Sequence, residues 1–278
     1  MEGPVPGGLT GASWGTDNTI LFSAISGIWR VSADGGKPER VISSDKGESM
    51  GSPRLLPDGD SVLFSLTTAT GPTRWDQAQI VVQSLRTGAR TVVMQGGSDA
   101  RYVPSGHLVY AVGNGLFAVA FDLDRLTVSS RPVPVVQGVQ RSAASPANGG
   151  DTANYGVTDS GTLVYLASGA VAGGTTFFSG GQIATLRTLV WVNRDGREEP
   201  LTAPPRPYSY PRVSPDGTQV AVDVRDAESD IWVWSLERAT LTRLTFDPLL
   251  DRFPVWSPDG RRLAFSSQRD GSRGNLFW

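Results

Sequence analysis

Apolar residues fall in short runs, five to seven long, divided by polar turns, and the spacing of an amphipathic helix is nearly absent. The runs are rich in Val, Leu, Ile and aromatic residues, so each reads as a β-strand. One turn phrase recurs between them. Aligned on its glycine, it reads LLPDGDSVLF at Gly59, YVPSGHLVYA at Gly106, VTDSGTLVYL at Gly161, VSPDGTQVAV at Gly217 and WSPDGRRLAF at Gly260, while WGTDNTILFS puts Asn18 in the same slot. Pro presets φ at the first central position, Asp suits the second, and Gly takes the left-handed conformation that closes the turn. Asn18 can take that conformation too.

A second hairpin follows the first in five of the six repeats: GIWRVSADGGKPERVIS, QIVVQSLRTGARTVVM, GLFAVAFDLDRLTVSS, LVWVNRDGREEPLT and DIWVWSLERATLTRLT. Each repeat is therefore an antiparallel meander of four strands, here called A to D. The turn anchors lie 41 to 56 residues apart, near the period of propeller blades and above that of helical repeats. Unbroken apolar runs in strand B, VLF, LVY and LAF, suit sheets covered on both faces. The predicted fold is an all-β propeller forming one domain over 1–278, with blades at about 11–47, 48–97, 98–139, 153–205, 206–248 and 249–278. The last blade is expected to be incomplete, because the sequence stops at GNLFW where strand C begins. A piece of a longer chain is the expectation, with ring closure by the N-terminal VPGGLTG as the alternative.

The WSPDG turn, the IWVWSLE strand and the trailing RLT resemble the repeats of TolB-type, WD-repeat-like bacterial β-propellers. The resemblance covers most of residues 11–278 and is strongest in the last two repeats. It implies protein–protein interaction and an extracytoplasmic or periplasmic location. The stretches GASWGTDNTILFS, GIWRVSADGG and RTLVWVNRDGREEPL also look like propeller modules appended to bacterial Ser/Thr protein kinases, which would make the chain a sensor. Similar propellers gate prolyl-oligopeptidase-like peptidases, and others carry glycosidase sites, so an enzymatic setting is the alternative.

Loop lengths segregate. The A–B and C–D turns are tight, whereas B–C and D–A connections include TTATGPTRWDQA, ASGAVAGGTTFFSGGQIA and TAPPRPYSYP. Long loops on a rigid scaffold are where binding residues collect, so the binding face is expected there. Five positions before the anchor, at the start of strand A, stand Arg54, Arg101 and Arg212. Guanidinium forks suit carboxylate or phosphate, so the three could form an anion site; alternatively each pairs with an acid of the next blade, Asp99, Asp223 or Asp251. Tyr208, Tyr210, Trp75, Phe253 and Arg252 belong to the same loop face, as contact anchors or as loop packing.

Composition narrows the chemistry. Twenty-five basic and 27 acidic residues are scattered evenly, without the basic stripe that nucleic acid demands. No cysteine and one histidine, His107, leave no thiolate chemistry and little for a metal, so no metal or cofactor is expected. GASWG matches the nucleophile-elbow pattern around Ser13, yet it leads into a strand rather than a helix, and His107 sits in a hairpin turn at the wrong end of its blade. FDLDRL and NRDGREE lack the ligand series of a calcium loop. The N-terminus shows no secretion signal, and Gly, Ser and Thr interrupt the uncharged segment 160–186, so no membrane insertion is expected. The sequence thus predicts a non-catalytic module that binds a protein, a peptide or a small anionic ligand.

Overall fold

The computed structural model describes residues 11–141, 152–169, 177–179, 182–193, 195–226, 229–271 and 275–278. They form the expected all-β architecture of antiparallel blades, and no helix occurs among them. The chain gathers into two compact units. The first comprises Met1–Gln137 and Ser142–Ala153, the second Gly138–Arg141 and Asn154–Trp278.

The first unit holds three blades. Blade 1 is β1 (Ala12–Trp14), β2 (Thr19–Ala24), β3 (Gly27–Ser32) and β4 (Glu39–Ser43). Blade 2 is β5 (Ser49–Leu55), β6 (Ser61–Thr67), β7 (Gln79–Ser84) and β8 (Arg90–Gln95). Blade 3 joins β9 (Ser98–Val103), β10 (His107–Val112) and β11 (Gly115–Asp122) to two outer segments, β12 (Thr127–Val128) and β13 (Val133–Gln137), both paired with β11. The split replaces the single D strand that the sequence suggested.

The second unit holds the other three. Blade 4 is β14 (Tyr155–Val157), β15 (Leu163–Leu166), β18 (Leu189–Val192) and β19 (Glu198–Pro200), and its long B–C connection carries a hairpin of β16 (Phe177–Ser179) and β17 (Gln182–Ala184). Blade 5 is β20 (Tyr208–Val213), β21 (Gln219–Arg225), β22 (Ser229–Ser235) and β23 (Thr240–Arg243). Blade 6 has three strands among the described residues, β24 (Asp251–Trp256), β25 (Leu263–Ser267) and β26 (Asn275–Phe277).

The recurring turn is built the same way six times. The anchor amide donates back to the carbonyl three residues earlier, from Asn18 to Gly15 at 3.2 Å and from Gly59, Gly106, Gly161, Gly217 and Gly260 at 2.9–3.0 Å. All six anchors have φ between 60° and 84°. Where Asp stands before the glycine, its carboxylate accepts the amide two residues on, Asp58 from Asp60, Asp216 from Thr218 and Asp259 from Arg261. The Ser214 hydroxyl and the Thr218 amide hold Asp216 below the usual carboxylate range.

Burial follows strand order. Every residue of β6, β15 and β25 is buried, whereas β8 and β19 are mostly or wholly exposed or half-buried outer strands. In blade 2, strand B is covered on one face by residues of blade 1 and on the other by residues of blade 3, and its unbroken apolar run follows from that. In the first unit Leu56, Leu63, Ile80, Leu108 and Tyr110 pack together; in the second Val164, Leu166, Tyr208, Val222 and Trp234 do.

Blade 4 carries a titratable part of its core. Tyr165 of β15 is buried, and burial, then its hydrogen bond to Glu198 at 3.0 Å, pushes its hydroxyl up to about 12. The unfolded chain therefore loses this proton first, near pH 10. Stability that is complete below that pH should fall as pH rises towards 12. Urea unfolding on either side of this window should show a smaller alkaline loss in Tyr165→Phe than in the parent; an equal loss would assign the decline to other groups.

Candidate functional site

At the start of strand A four blades share a distortion that no turn motif announces. Pairing jumps by one residue between Gly51 and Arg54 in β5, opposite Val109–Ala111 in β9, between Ser209 and Arg212 in β20, and between Arg252 and Val255 in β24. Each jump is a β-bulge. Each contains one left-handed residue that is not glycine: Ser52, Asp99, Tyr210 and Phe253, with φ of 46–59°. All four lie seven positions before their anchor glycine, so the bulge is a feature of the repeat. In two blades a side chain of the preceding blade satisfies the displaced amide. Asp99 donates to Ser65 Oγ at 2.9 Å, and Tyr210 donates to Asn154 Oδ1 at 2.6 Å.

The bulge aims charge into the blade top. In the first unit the carboxylate of Asp99 is fully buried and accepts the Ala153 amide at 3.1 Å. Arg101 Nη2 lies 3.3 Å from Asp99 Oδ2, and Arg54 Nη2 lies 3.9 Å from Oδ1. Two of the three arginines aligned by the sequence therefore converge on one of the acids named as an alternative partner. Trp75 is buried as well, with the Arg74 guanidinium 5.6 Å above its ring. The hydroxyl of Ser13 donates to the Pro53 carbonyl at 2.7 Å, and His107 Nδ1 lies 3.0 Å from the Ser105 carbonyl.

In the second unit Arg212 Nη1 donates to the carbonyls of Tyr155 and Pro211. Tyr208 is fully buried and its hydroxyl donates to the Pro204 carbonyl at 2.6 Å. Tyr210 and Phe253, the bulge residues of adjacent strands, meet edge to face with ring centroids 4.5 Å apart. Around this pair lies a cluster of charge. Asp223, fully buried, accepts Arg225 through both oxygens, Nε to Oδ1 and Nη2 to Oδ2, each at 3.2 Å. Arg225 stands 5.3 Å from the Tyr210 ring, and Arg187 Nη1 donates to the Tyr208 carbonyl at 3.2 Å. Asp251 pairs with Arg269 at 2.9 Å, Asp230 with Arg243 at 2.7 Å, and Asp226 with Arg206.

The protonation balance here is uneven. Burial alone would lower Arg225, yet the charge of Asp223 more than offsets it and holds Arg225 above its ordinary value. Burial, then the positive charge of Arg225, lowers both Arg187 and Arg252. One carboxylate thus serves three guanidiniums. Sequence reasoning singled out Arg252 and Asp251 but missed Arg225 and Arg187. The alternation VDVRD could have found Arg225, since residues two apart on a strand share a face with Asp223. Nothing around TLRT distinguishes Arg187.

No family model matches the chain. Solved structures do. The tricorn protease superposes with a TM-score of 0.61 at 15% identity, over 95% of this chain and 24% of that one. TolB from Acinetobacter baumannii gives 0.58 at 16% identity, over 92% of this chain and 59% of its own. An oligogalacturonate lyase from Vibrio parahaemolyticus gives 0.57 at 14% identity, over 96% of this chain and 75% of its own. The chain therefore spans about a quarter of the tricorn protease and 59% of TolB. The fold is the β-propeller, of the kind seen in TolB, as the WSPDG repeats implied. A protease, a lyase and TolB share it, so the fold by itself fixes no chemistry.

Proposed function

We propose that this chain is a non-catalytic binding module whose long-loop end recognises a protein or peptide bearing negative charge. One observation carries the reading: in the second unit, arginines gather with three buried aspartates and one part-exposed one beneath the B–C and D–A connections. There Arg187, Arg206, Arg225, Arg243, Arg252 and Arg269 accompany Asp223, Asp226, Asp230 and Asp251. Within this cluster six guanidiniums stand against four carboxylates, with Asp247 and Asp270 at the rim of the same end. Such a local excess draws acidic partners by steering and offers forked donors on arrival. The extracytoplasmic sensor role that the family resemblance implies belongs to this reading.

An array of acidic, neutral and basic peptides presented to the whole chain tests it. Acidic peptides should bind, high salt should weaken them, and substitutions at the opposite end, such as Asp216→Ala, should leave them unchanged. Binding that ignores peptide charge, or that is lost with Asp216→Ala, would refute the reading. The tricorn match favours a second reading, in which the propeller forms part of a peptidase and controls access to it. In that case peptides should bind without regard to charge, and the native flanking sequence should encode a hydrolase.

A further inference from the structure

Arg252 lies beside the charges of Arg225 and Asp223, yet among the described residues no group bonds its guanidinium. Arg225, Arg269, Arg243 and Arg206 each have a carboxylate, and Arg187 has the Tyr208 carbonyl. Arg252 Nε is buried without an acceptor, and no hydrogen bond or ion pair engages the rest of its fork among the described residues. A buried donor left without an acceptor is rare, because it loses water and gains nothing in return.

Position explains why no described residue supplies the missing partner. Arg252 occupies the place, just before the bulge residue, held by Gly51, Ser98 and Ser209 in other blades. Small residues elsewhere are replaced here by the longest cation. Phe253, its neighbour in sequence, packs on Tyr210, and Tyr210 lies beneath Arg225. Strand β24 rests on β20 and β21, which puts Arg252 beside the Asp223–Arg225 pair. Asp223 already takes two donors from Arg225 at 3.2 Å each, so its negative charge is committed there. With Arg187 included, three cations face one anion.

We propose that Arg252, with Arg225 and Arg187 behind it, is a carboxylate-binding site, and that the acidic group of a partner peptide occupies it. This rests on the reading of the long-loop end as the binding end. The Asp223–Arg225 fork shows that a planar carboxylate fits guanidinium in this setting, and a second carboxylate would meet the Arg252 fork in the same manner. Its charge would also relieve the mutual repulsion that, with burial, lowers Arg187 and Arg252.

The test uses the whole chain and succinate, with phosphate and chloride at matched ionic strength as the other arms. Succinate should raise the melting temperature more than chloride does. Arg252→Ala should remove that increment and weaken succinate roughly tenfold or more, the usual loss of a charge-assisted pair. Without succinate, Arg252→Ala should be as stable as the parent or more so, since the side chain has no bond to lose. A variant that responds to succinate like the parent overturns the proposal. So does a response to phosphate alone. Succinate binding through Arg252 with no acidic peptide bound would keep the site and refute the wider reading. Acidic peptides that bind regardless of Arg252 and of succinate would do the reverse.

Discussion

Replacing Asp99 with Ala should lower the stability of the first unit by about 3–5 kcal/mol, the usual cost of removing one partner from a buried ion pair. Asp99 is fully buried, and its carboxylate faces Arg101, which is itself only 5% exposed, and Arg54. Without it both guanidiniums, one buried and one half-buried, lose this counter-charge. The Ala153 amide also loses its acceptor. A backbone effect adds to this, because Ala is poorly suited to a φ of 50° whereas Asp and Asn tolerate it. Asp99→Asn separates the causes: it keeps the left-handed preference and an acceptor for Ala153 but removes the charge. The urea midpoint should therefore fall for Asn and fall further for Ala. Equal midpoints in the two variants would show that charge is the whole effect, and an unchanged midpoint in both would refute the account of this cluster.

The second large effect is expected at Tyr208. Its ring is fully buried against Val164, Leu166, Val222 and Trp234, and truncating such an aromatic residue costs about 3–5 kcal/mol. Tyr208→Phe should cost only about 1 kcal/mol, since it deletes one hydrogen bond, that to Pro204, and keeps the packing. The pair also reads out position. Tyr208 opens β20, and its carbonyl holds Arg187. Succinate should accordingly stabilise Tyr208→Phe as it does the parent and should act more weakly on Tyr208→Ala. A Phe variant as damaged as Ala would place the energy in the hydroxyl, against this account.

The fold was legible in the sequence because its signals are local. Asn18 and the anchor glycines have the left-handed φ that their turn phrase demands, and strand B of blade 2 reads as an unbroken apolar run because both faces are covered. The candidate site was legible only in part. Arg54 and Arg101 could be aligned by counting back from the glycine, yet their convergence on Asp99 depends on a bulge. Ser52, Asp99, Tyr210 and Phe253 adopt positive φ without being glycine, so composition does not mark them. Arg187 reaches the cluster from a connection in another blade, and such proximity is set by packing rather than by period.

The two ends of blade 5 differ in a way that matters for handling the molecule. The C–D turn between β22 and β23 exposes Glu237, whereas Tyr210, Asp223 and Arg225 lie at the other end of the same sheet. The chain contains no cysteine. Glu237→Cys would therefore introduce its sole thiol, a chemical handle through which every molecule on a sensor chip could be tethered in one orientation, with the arginine-rich end turned towards the solution.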